Sequence, residues 1–167
     1  MKKRTEDNLK DAFAGESQAH MKYLAFSKKA EVENLPNISR LFKANSFAEE
    51  IHAVNHLWAL SGIGKTADNL QEAIEGETFE VEKMYPDYIK VAQEEGEKGA
   101  ENSTRWALAA EKVHAGLYKK AREAAVQDRD VELGPIYVCS VCGFTMENEA
   151  PDNCPVCGAP KEKFHLF

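Results

Sequence analysis

Apolar side chains recur every three or four positions through most of the chain, which is the spacing of amphipathic helices. The pattern predicts four long helices, at about residues 5–33, 36–61, 69–95 and 100–126. In the second of them the apolar stripe contains Leu41, Ala44, Ala48, Ile51 and Leu60. Four helices joined by short turns are typical of a helical bundle.

The predicted helices end at residues that interrupt helical structure. The stretch Asn34-Leu35-Pro36 separates the first two helices, and Gly62, Gly64, Gly96 and Gly99 mark the later breaks. Proline cannot continue a helix, and asparagine and glycine tolerate the left-handed conformation that ends one. We expect Pro86 to kink the third helix, and the aromatic side chains to lie in the bundle core: Trp58, Tyr88, Trp106 and Tyr118.

The pattern changes at residue 131, after which glycines, prolines and all four cysteines crowd a short stretch. Residues 137–167 are too few to bury a stable core unaided, so they need a staple. We therefore predict two domains: a helical bundle over residues 1–130 and a small cysteine-stapled domain over residues 131–167.

Composition narrows the class of protein. Hydrophobic residues make up 43% of the chain and charged residues 29%, which is typical of a globular protein. No apolar stretch is long enough to span a membrane, and the first residues lead into no apolar signal segment. The net charge of −7 disfavours nucleic acid as a partner. Clustered cysteines without an export signal predict metal binding in the cytoplasm.

The helical part contains an internal repeat. Gly15-Glu16 recurs 61 residues later as Gly76-Glu77, and the segment AEEIHA at residues 48–53 recurs 62 residues later as AEKVHA. Tyr23 lies seven residues after Glu16, whereas Tyr85 lies eight residues after Glu77. The chain thus predicts two copies of one helical hairpin, at about residues 5–61 and 69–126.

Each copy supplies a glutamate from its first helix and a Glu-x-x-His motif from its second. Residues at i and i+3 share one face of a helix, and these motifs lie beside the apolar stripe. Converging carboxylates in a bundle core need a compensating cation, so the repeat predicts a site for two iron or manganese ions. Glu80 adds a carboxylate where the first copy has Ala19.

The cysteines form two Cys-x-x-Cys-Gly motifs, Cys139–Gly143 and Cys154–Gly158. Two such motifs predict a tetrahedral four-thiolate site, and their glycines let backbone N–H groups turn toward the sulfurs. The spacing does not choose between iron and zinc. Iron would make this domain a one-electron carrier, whereas zinc would make it structural.

Taken together, these motifs resemble the rubrerythrin family over nearly the whole chain, through GESQAHMKY, AEEIHA, GETFEVEKMYP, AEKVHA and CPVCGAPKEKF. The resemblance implies a ferritin-like bundle with a di-iron site, followed by a rubredoxin-like domain whose iron is held by Cys139, Cys142, Cys154 and Cys157. It also implies these di-iron ligands: Glu16, Glu49, His52, Glu77, Glu80, Glu111 and His114. In the family one iron exchanges a histidine for a glutamate on oxidation, which by position would involve His52 and Glu80.

The implied activity is a peroxidase that reduces hydrogen peroxide to water in oxidative-stress defence. Its electrons would come from an NAD(P)H-dependent reductase or a rubredoxin through the four-cysteine iron. Tyr23 and Tyr85 are candidate catalytic residues that could hydrogen-bond ligating carboxylates or supply protons. A ferroxidase or iron-handling protein, a dioxygen-reducing oxidase, and a binding module with a zinc-stapled C-terminal domain remain as alternatives.

The connection between the hairpins predicts an exchanged dimer. The second and third helices of a ferritin-like bundle run parallel, so the connector must return about 32 Å, at the helical rise, to bring Glu49 and Glu77 to one height. About seven connecting residues span at most about 25 Å. We therefore expect the first hairpin of one chain to pair with the second hairpin of another.

Overall fold

The computed structural model describes residues 1–167 and divides them into two compact units, Met1–Gly64 and Lys65–Phe167. The first unit is a hairpin of helices α1 (Lys3–Val32) and α2 (Pro36–Ala59). Asn34 turns the chain with a φ of 58°, and the Leu35 N–H donates to the Ala30 carbonyl at 2.9 Å. Pro36 then begins α2, where its missing N–H is not needed.

Small side chains occupy the interface between α1 and α2, where Ser27, Ala30, Ser39, Ser46 and Ala53 are buried. They allow the two helices to approach closely, but they bury little apolar area. The larger side chains of the α2 stripe lie outside this interface: Leu41 is 62% exposed, Ile51 45% and Trp58 59%. Trp58 was expected in the core, and within the single chain it is not buried.

The helical part of the second unit consists of α3 (Thr66–Phe79), a π-helical turn (Glu80–Met84), α4 (Tyr85–Glu94) and α5 (Lys98–Ala125). Helix α5 packs against both α3 and α4. Gly96 turns the chain with a φ of 75°, and the Glu97 N–H donates to the Ala92 carbonyl at 2.8 Å. Tyr88 and Tyr118, also expected in the core, are 53% and 36% exposed.

The π-helical turn replaces the proline kink that the sequence predicted. It precedes Pro86, which lies in the first turn of α4. A π-helical turn accommodates one extra residue in an otherwise α-helical run. That residue explains why the repeat offset is 61 at Glu16 and Glu77 but 62 at Tyr23 and Tyr85.

The rest of the second unit is a small antiparallel sheet of β1 (Ile136–Cys139), β2 (Thr145–Glu147) and β3 (Phe164–Leu166), in the order β2-β1-β3. Tyr137 in the central strand lies opposite Met146 on one side and Leu166 on the other. Strand β2 contacts α5, so the sheet is held against the helical hairpin of its own unit.

The predicted fold class is confirmed: helical hairpins of the ferritin-like kind precede a small domain that carries the four cysteines. None of the helices combines the length and the apolar character that crossing a membrane requires. The boundary between residues 130 and 131 stays a prediction.

Candidate metal centres

The first hairpin brings together Glu16 from α1 with Glu49 and His52 from α2, here called the first cluster. One ligand atom from each residue lies within 4.8 Å of the others. The His52 Nδ1 atom is 3.1 Å from Glu49 Oε2 and 4.0 Å from Glu16 Oε1. The i, i+3 spacing of Glu49 and His52 places both on the helix face that meets Glu16.

The two carboxyl groups of the first cluster share a proton. A hydrogen bond with Glu49 raises the pKa of Glu16, and the same bond lowers the pKa of Glu49. Two carboxylates this close repel each other unless a positive charge lies between them. A divalent cation supplies that charge without a proton.

The second hairpin repeats the arrangement with Glu77 from α3 and with Glu111 and His114 from α5, here called the second cluster. The His114 Nδ1 atom is 2.6 Å from Glu111 Oε2 and 3.8 Å from Glu77 Oε1. The second cluster is less exposed than the first, since the His114 side chain is 28% exposed and the His52 side chain is 53% exposed.

Electrostatics also favour a cation at the second cluster. Burial raises the pKa of Glu77 to about 7, and a hydrogen bond with Glu111 adds to the rise. The second carboxylate oxygen of Glu77, Oε2, is buried without any hydrogen-bond partner. A buried carboxylate oxygen without a partner is costly, and a bound metal ion would satisfy it. The residues therefore fit the metal that the repeat predicts.

Glu80 and Tyr85 lie at the two ends of the π-helical turn and face the second cluster electrostatically. Burial raises the pKa of Glu80, and the negative charge of Glu111 raises it further. Burial likewise raises the pKa of Tyr85, together with the charges of Glu80, Glu111 and Glu77. Glu80 is not among the three residues whose ligand atoms converge, so the cluster brings together only part of the predicted ligand set of this hairpin.

Tyr23, the counterpart of Tyr85, packs among aromatic side chains. Its ring lies 6.1 Å from Phe42 and 6.4 Å from Phe26, between centroids. Its neighbour in sequence, His20, joins the two helices instead of facing the first cluster: Nδ1 lies 2.9 Å from the Ser46 carbonyl oxygen. The Ser46 hydroxyl in turn donates to the His20 carbonyl at 2.9 Å.

Thr145 is a contact of the second cluster that the sequence did not predict. Its Oγ1 lies 2.7 Å from His114 Nε2, the ring nitrogen that faces away from Glu111. The two residues are 31 positions apart and belong to different predicted domains. No local pattern links them, so only the packing of β2 against α5 reveals the pair.

The four cysteines converge as their spacing predicted. Cys139 Sγ is 3.7 Å from Cys157 Sγ, and Cys142 Sγ is 3.6 Å from Cys154 Sγ. These distances are too long for disulfides, and all four cysteines are free. Metal–sulfur bonds of about 2.3 Å in a tetrahedron place sulfurs about 3.8 Å apart. The four-cysteine cluster therefore has the dimensions of a thiolate metal site.

The glycines of the two motifs shape this cluster through their backbone. Gly143 and Gly158 take φ angles of 78° and 76°, which non-glycine residues rarely adopt. Their N–H groups donate to the carbonyls of Cys139 and Cys154, at 2.8 and 2.9 Å. The residue after Gly143 points its N–H at sulfur: burial raises the pKa of Cys142, and the backbone hydrogen bond from Phe144 opposes the rise.

Two family models match the chain. The rubrerythrin model matches residues 7–122, and the model of the rubrerythrin rubredoxin-like domain matches residues 137–165. The first match spans both hairpins and the second spans all four cysteines.

Curated relatives and solved structures agree with these matches. Rubrerythrin-2 of Clostridium acetobutylicum is 44% identical, over 98% of this chain and 96% of the relative. Nigerythrin of Nitratidesulfovibrio vulgaris is 38% identical, over 98% of this chain and 86% of the relative. A structure of nigerythrin in the fully reduced, all-ferrous state covers the same shares at 33% identity, with a TM-score of 0.56.

Proposed function

The chain belongs to the rubrerythrin family, and we propose that it is a non-haem di-iron peroxidase that reduces hydrogen peroxide to water. The family places it among di-iron proteins of oxidative-stress defence. The observation that carries the finer proposal is the presence, in one chain, of two Glu/His clusters and a four-cysteine cluster. A storage protein has no evident use for the third cluster, whereas a peroxidase needs a supply of electrons.

The proposal assigns the di-iron ligands by hairpin. Glu16, Glu49 and His52 would hold metal in the first cluster, and Glu77, Glu111 and His114 in the second, with Glu80 as a further carboxylate. When bound, two ferrous ions would supply two electrons, which with two protons convert one hydrogen peroxide into two water molecules. The buried, partnerless Oε2 of Glu77 supports this assignment.

The protein's own residues would bring protons to the site. Tyr85 lies beside the carboxylates of Glu80 and Glu111, and its raised pKa keeps the phenol protonated at neutral pH. Its hydroxyl would hydrogen-bond a ligating carboxylate and donate a proton to the reduced oxygen. Tyr23 would serve the first hairpin in the same way, although its ring contacts here are with Phe26 and Phe42.

Electrons would reach the site through an iron held by Cys139, Cys142, Cys154 and Cys157, which carries one electron at a time. A rubredoxin or an NAD(P)H-dependent reductase would be the external donor. The proposal includes a cytoplasmic location, because four free thiols persist in a reducing compartment.

The proposal also includes a homodimer with exchanged hairpins. Helix α2 ends at Ala59 and α3 begins at Thr66. Parallel helices with Glu49 and Glu77 at one height would need a connector of about 32 Å, and seven residue steps reach at most about 25 Å. Apolar side chains that a partner hairpin would cover are exposed in the single chain, including Leu41, Trp58 and Tyr88.

The test is a reaction of the iron-loaded, anaerobically reduced protein with hydrogen peroxide. The ferric-thiolate absorption of the four-cysteine iron is followed while peroxide consumption is measured. We expect the colour to return rapidly with peroxide and slowly with dioxygen. Equally rapid return with dioxygen would overturn the peroxidase in favour of an oxidase or ferroxidase, and a colourless four-cysteine site would indicate zinc.

A matched variant separates oxidation through the di-iron site from direct attack on the thiolates. Glu111→Ala removes a carboxylate from the second cluster and leaves the four cysteines unchanged. We expect its four-cysteine iron to reoxidise at least about a hundredfold more slowly. Reoxidation at the wild-type rate would show that peroxide reacts with the four-cysteine iron directly.

A further inference from the structure

A chain of hydrogen bonds joins the second cluster to the four-cysteine cluster within one compact unit. The His114 Nε2 atom lies 2.7 Å from the Thr145 hydroxyl, which donates to the Gly143 carbonyl at 3.1 Å. Gly143 directly follows Cys142, and its own N–H donates to the Cys139 carbonyl. The side chain of Thr145 is thus the bridge between the candidate ligand His114 and the backbone that carries two of the cysteines.

The donor and acceptor roles along this chain are fixed by chemistry. A threonine hydroxyl has one proton, and the Gly143 carbonyl can only accept it. Thr145 must therefore accept a hydrogen bond from His114, which puts the imidazole proton on Nε2. The lone pair of Nδ1 is then directed at Glu111 Oε2, 2.6 Å away. Two acceptors at that distance need a cation to hold them together, which is what a metal ligand requires.

The surroundings protect this hydrogen bond from water. Thr145 is 5% exposed. Beside it lies an apolar cavity of about 320 Å³, lined in part by Leu117, Ile136 and Val138. A second contact between α5 and β2, from Lys120 Nζ to Glu147 at 3.1 Å, holds the strand against the helix. The position of the Thr145 hydroxyl is therefore set by packing and not by a mobile side chain.

The first cluster has no equivalent bridge. His52 contacts Glu49 and Glu16 through Nδ1, as His114 contacts its own carboxylates, but no protein group is hydrogen-bonded to its Nε2. Its side chain is also about twice as exposed, at 53% against 28%. The repeat therefore supplies two histidines of the same kind, and the small domain fixes the ring of one of them.

We propose that Thr145 is a positioning residue that locks His114 in the Nε2-protonated tautomer and aims Nδ1 at the metal site. By this contact the four-cysteine domain of a chain preorganises the second cluster of the same chain. The proposal deepens the proposed function and rests on His114 being a metal ligand. It does not require that the protein reduce peroxide.

The experiment compares wild type with Thr145→Val, which keeps the shape and removes the hydroxyl, and Thr145→Ser, which restores the hydroxyl. Full-length protein is loaded with ferrous iron, and iron release from the di-iron site to a colorimetric chelator is timed anaerobically. We expect release to be about 10- to 100-fold faster in Thr145→Val. Thr145→Ser should stay within about threefold of wild type, and so should Thr104→Val, a matched change on α5 remote from His114.

A second readout reports the tautomer itself. In zinc-loaded full-length protein labelled with ¹⁵N at histidine, we expect a slowly exchanging Nε2–H signal from His114 in wild type and Thr145→Ser. The signal should exchange rapidly in Thr145→Val. Unchanged exchange and unchanged iron release in Thr145→Val would overturn the positioning role, whereas failure of wild type to hold di-iron at all would overturn the proposed function instead. An intact ferric-thiolate band confirms that the variant's small domain is folded.

Discussion

Asn34 and Gly96, 62 residues apart, occupy corresponding left-handed positions in the turns of the two hairpins, with φ angles of 58° and 75°. Each is followed by the same backbone contact: the Leu35 N–H donates to Ala30, and the Glu97 N–H donates to Ala92. The repeat thus extends from the candidate ligands to the ends of the helices. Asparagine and glycine are the residues that adopt this conformation at least cost.

The first prediction concerns Gly96. Gly96→Ala should destabilise the protein by about 1 kcal/mol, because an L-residue with a side chain is strained at this φ. Open space surrounds the position, so a steric clash would not contribute. The measurement is urea unfolding followed by circular dichroism. Gly99→Ala, on the first turn of α5 and equally open, should leave stability unchanged or raise it. An equal loss in both variants would contradict the argument.

The second prediction concerns Glu80, whose counterpart in the first hairpin is Ala19. Its negative charge raises the pKa of Glu77, so the metal-free cluster contains repelling carboxylates. Glu80→Ala should leave the metal-free protein at least as stable as wild type while weakening iron binding at least about tenfold. Thermal unfolding with and without iron measures both effects.

The control for Glu80 lies in the same π-helical turn. Glu82 is exposed, and Glu82→Ala should change neither the metal-free stability nor the iron affinity by more than a small amount. If both variants lose stability without metal, Glu80 contributes to folding and not to the site.

The third prediction concerns a buried carboxylate far from the metal clusters. Glu101 is 7% exposed and accepts hydrogen bonds from Lys98 at 2.8 Å, Gln93 at 2.7 Å and Arg105 at 3.0 Å. These partners, Lys98 first, lower the pKa of Glu101 to about 2 from an ordinary value of 4.5. The folded state therefore binds this proton less readily than the unfolded state, and the stabilisation is present above the ordinary pKa.

The stabilisation should be lost as the pH falls from about 4.5 toward about 2. The unfolding free energy of wild type should exceed that of Glu101→Gln near neutral pH, and the difference should shrink over this interval. Glu97→Gln, one turn earlier and exposed, should follow the wild-type curve. A difference that is constant with pH would show that packing, and not the charge of Glu101, stabilises the turn.

The sequence predicted what local pattern and repetition can carry. The helix breaks at Asn34 and Gly96, the two Glu-x-x-His motifs and the cysteine motifs are all periodic or contiguous signals. The π-helical turn was visible only as the change of repeat offset from 61 to 62, which Pro86 obscured. The partnership of His114 with Thr145 left no signal, because it depends on how β2 packs on α5.

The exposed aromatic residues show a different limit of the sequence. A hydrophobic stripe predicts that a helix face is buried, but not in which molecule its partner lies. Trp58 and Tyr88 were expected inside a bundle, yet both are more than half exposed in the single chain. The exchanged dimer reconciles the pattern with the exposure, because each hairpin would then be covered by the other copy.

The fourth prediction tests that dimer by mixing two inactive chains. Glu49→Ala breaks the first cluster and Glu111→Ala breaks the second. If the first hairpin of one chain joins the second hairpin of another, a mixed dimer contains one site with both defects and one site with none. A doubly tagged mixed dimer should then hold about half the di-iron of wild type, measured relative to the ferric-thiolate absorption of its four-cysteine irons.

The matched control pairs two defects on the same hairpin. In a mixed dimer of Glu16→Ala and Glu49→Ala chains, every site receives one damaged first hairpin, so no di-iron should be recovered. Sites built within single chains predict a different result, since each chain of either mixture would then carry its own defect and neither mixture would recover iron. Recovery in the Glu49/Glu111 mixture alone therefore requires hairpins shared between chains, and its absence in both would rule the exchange out.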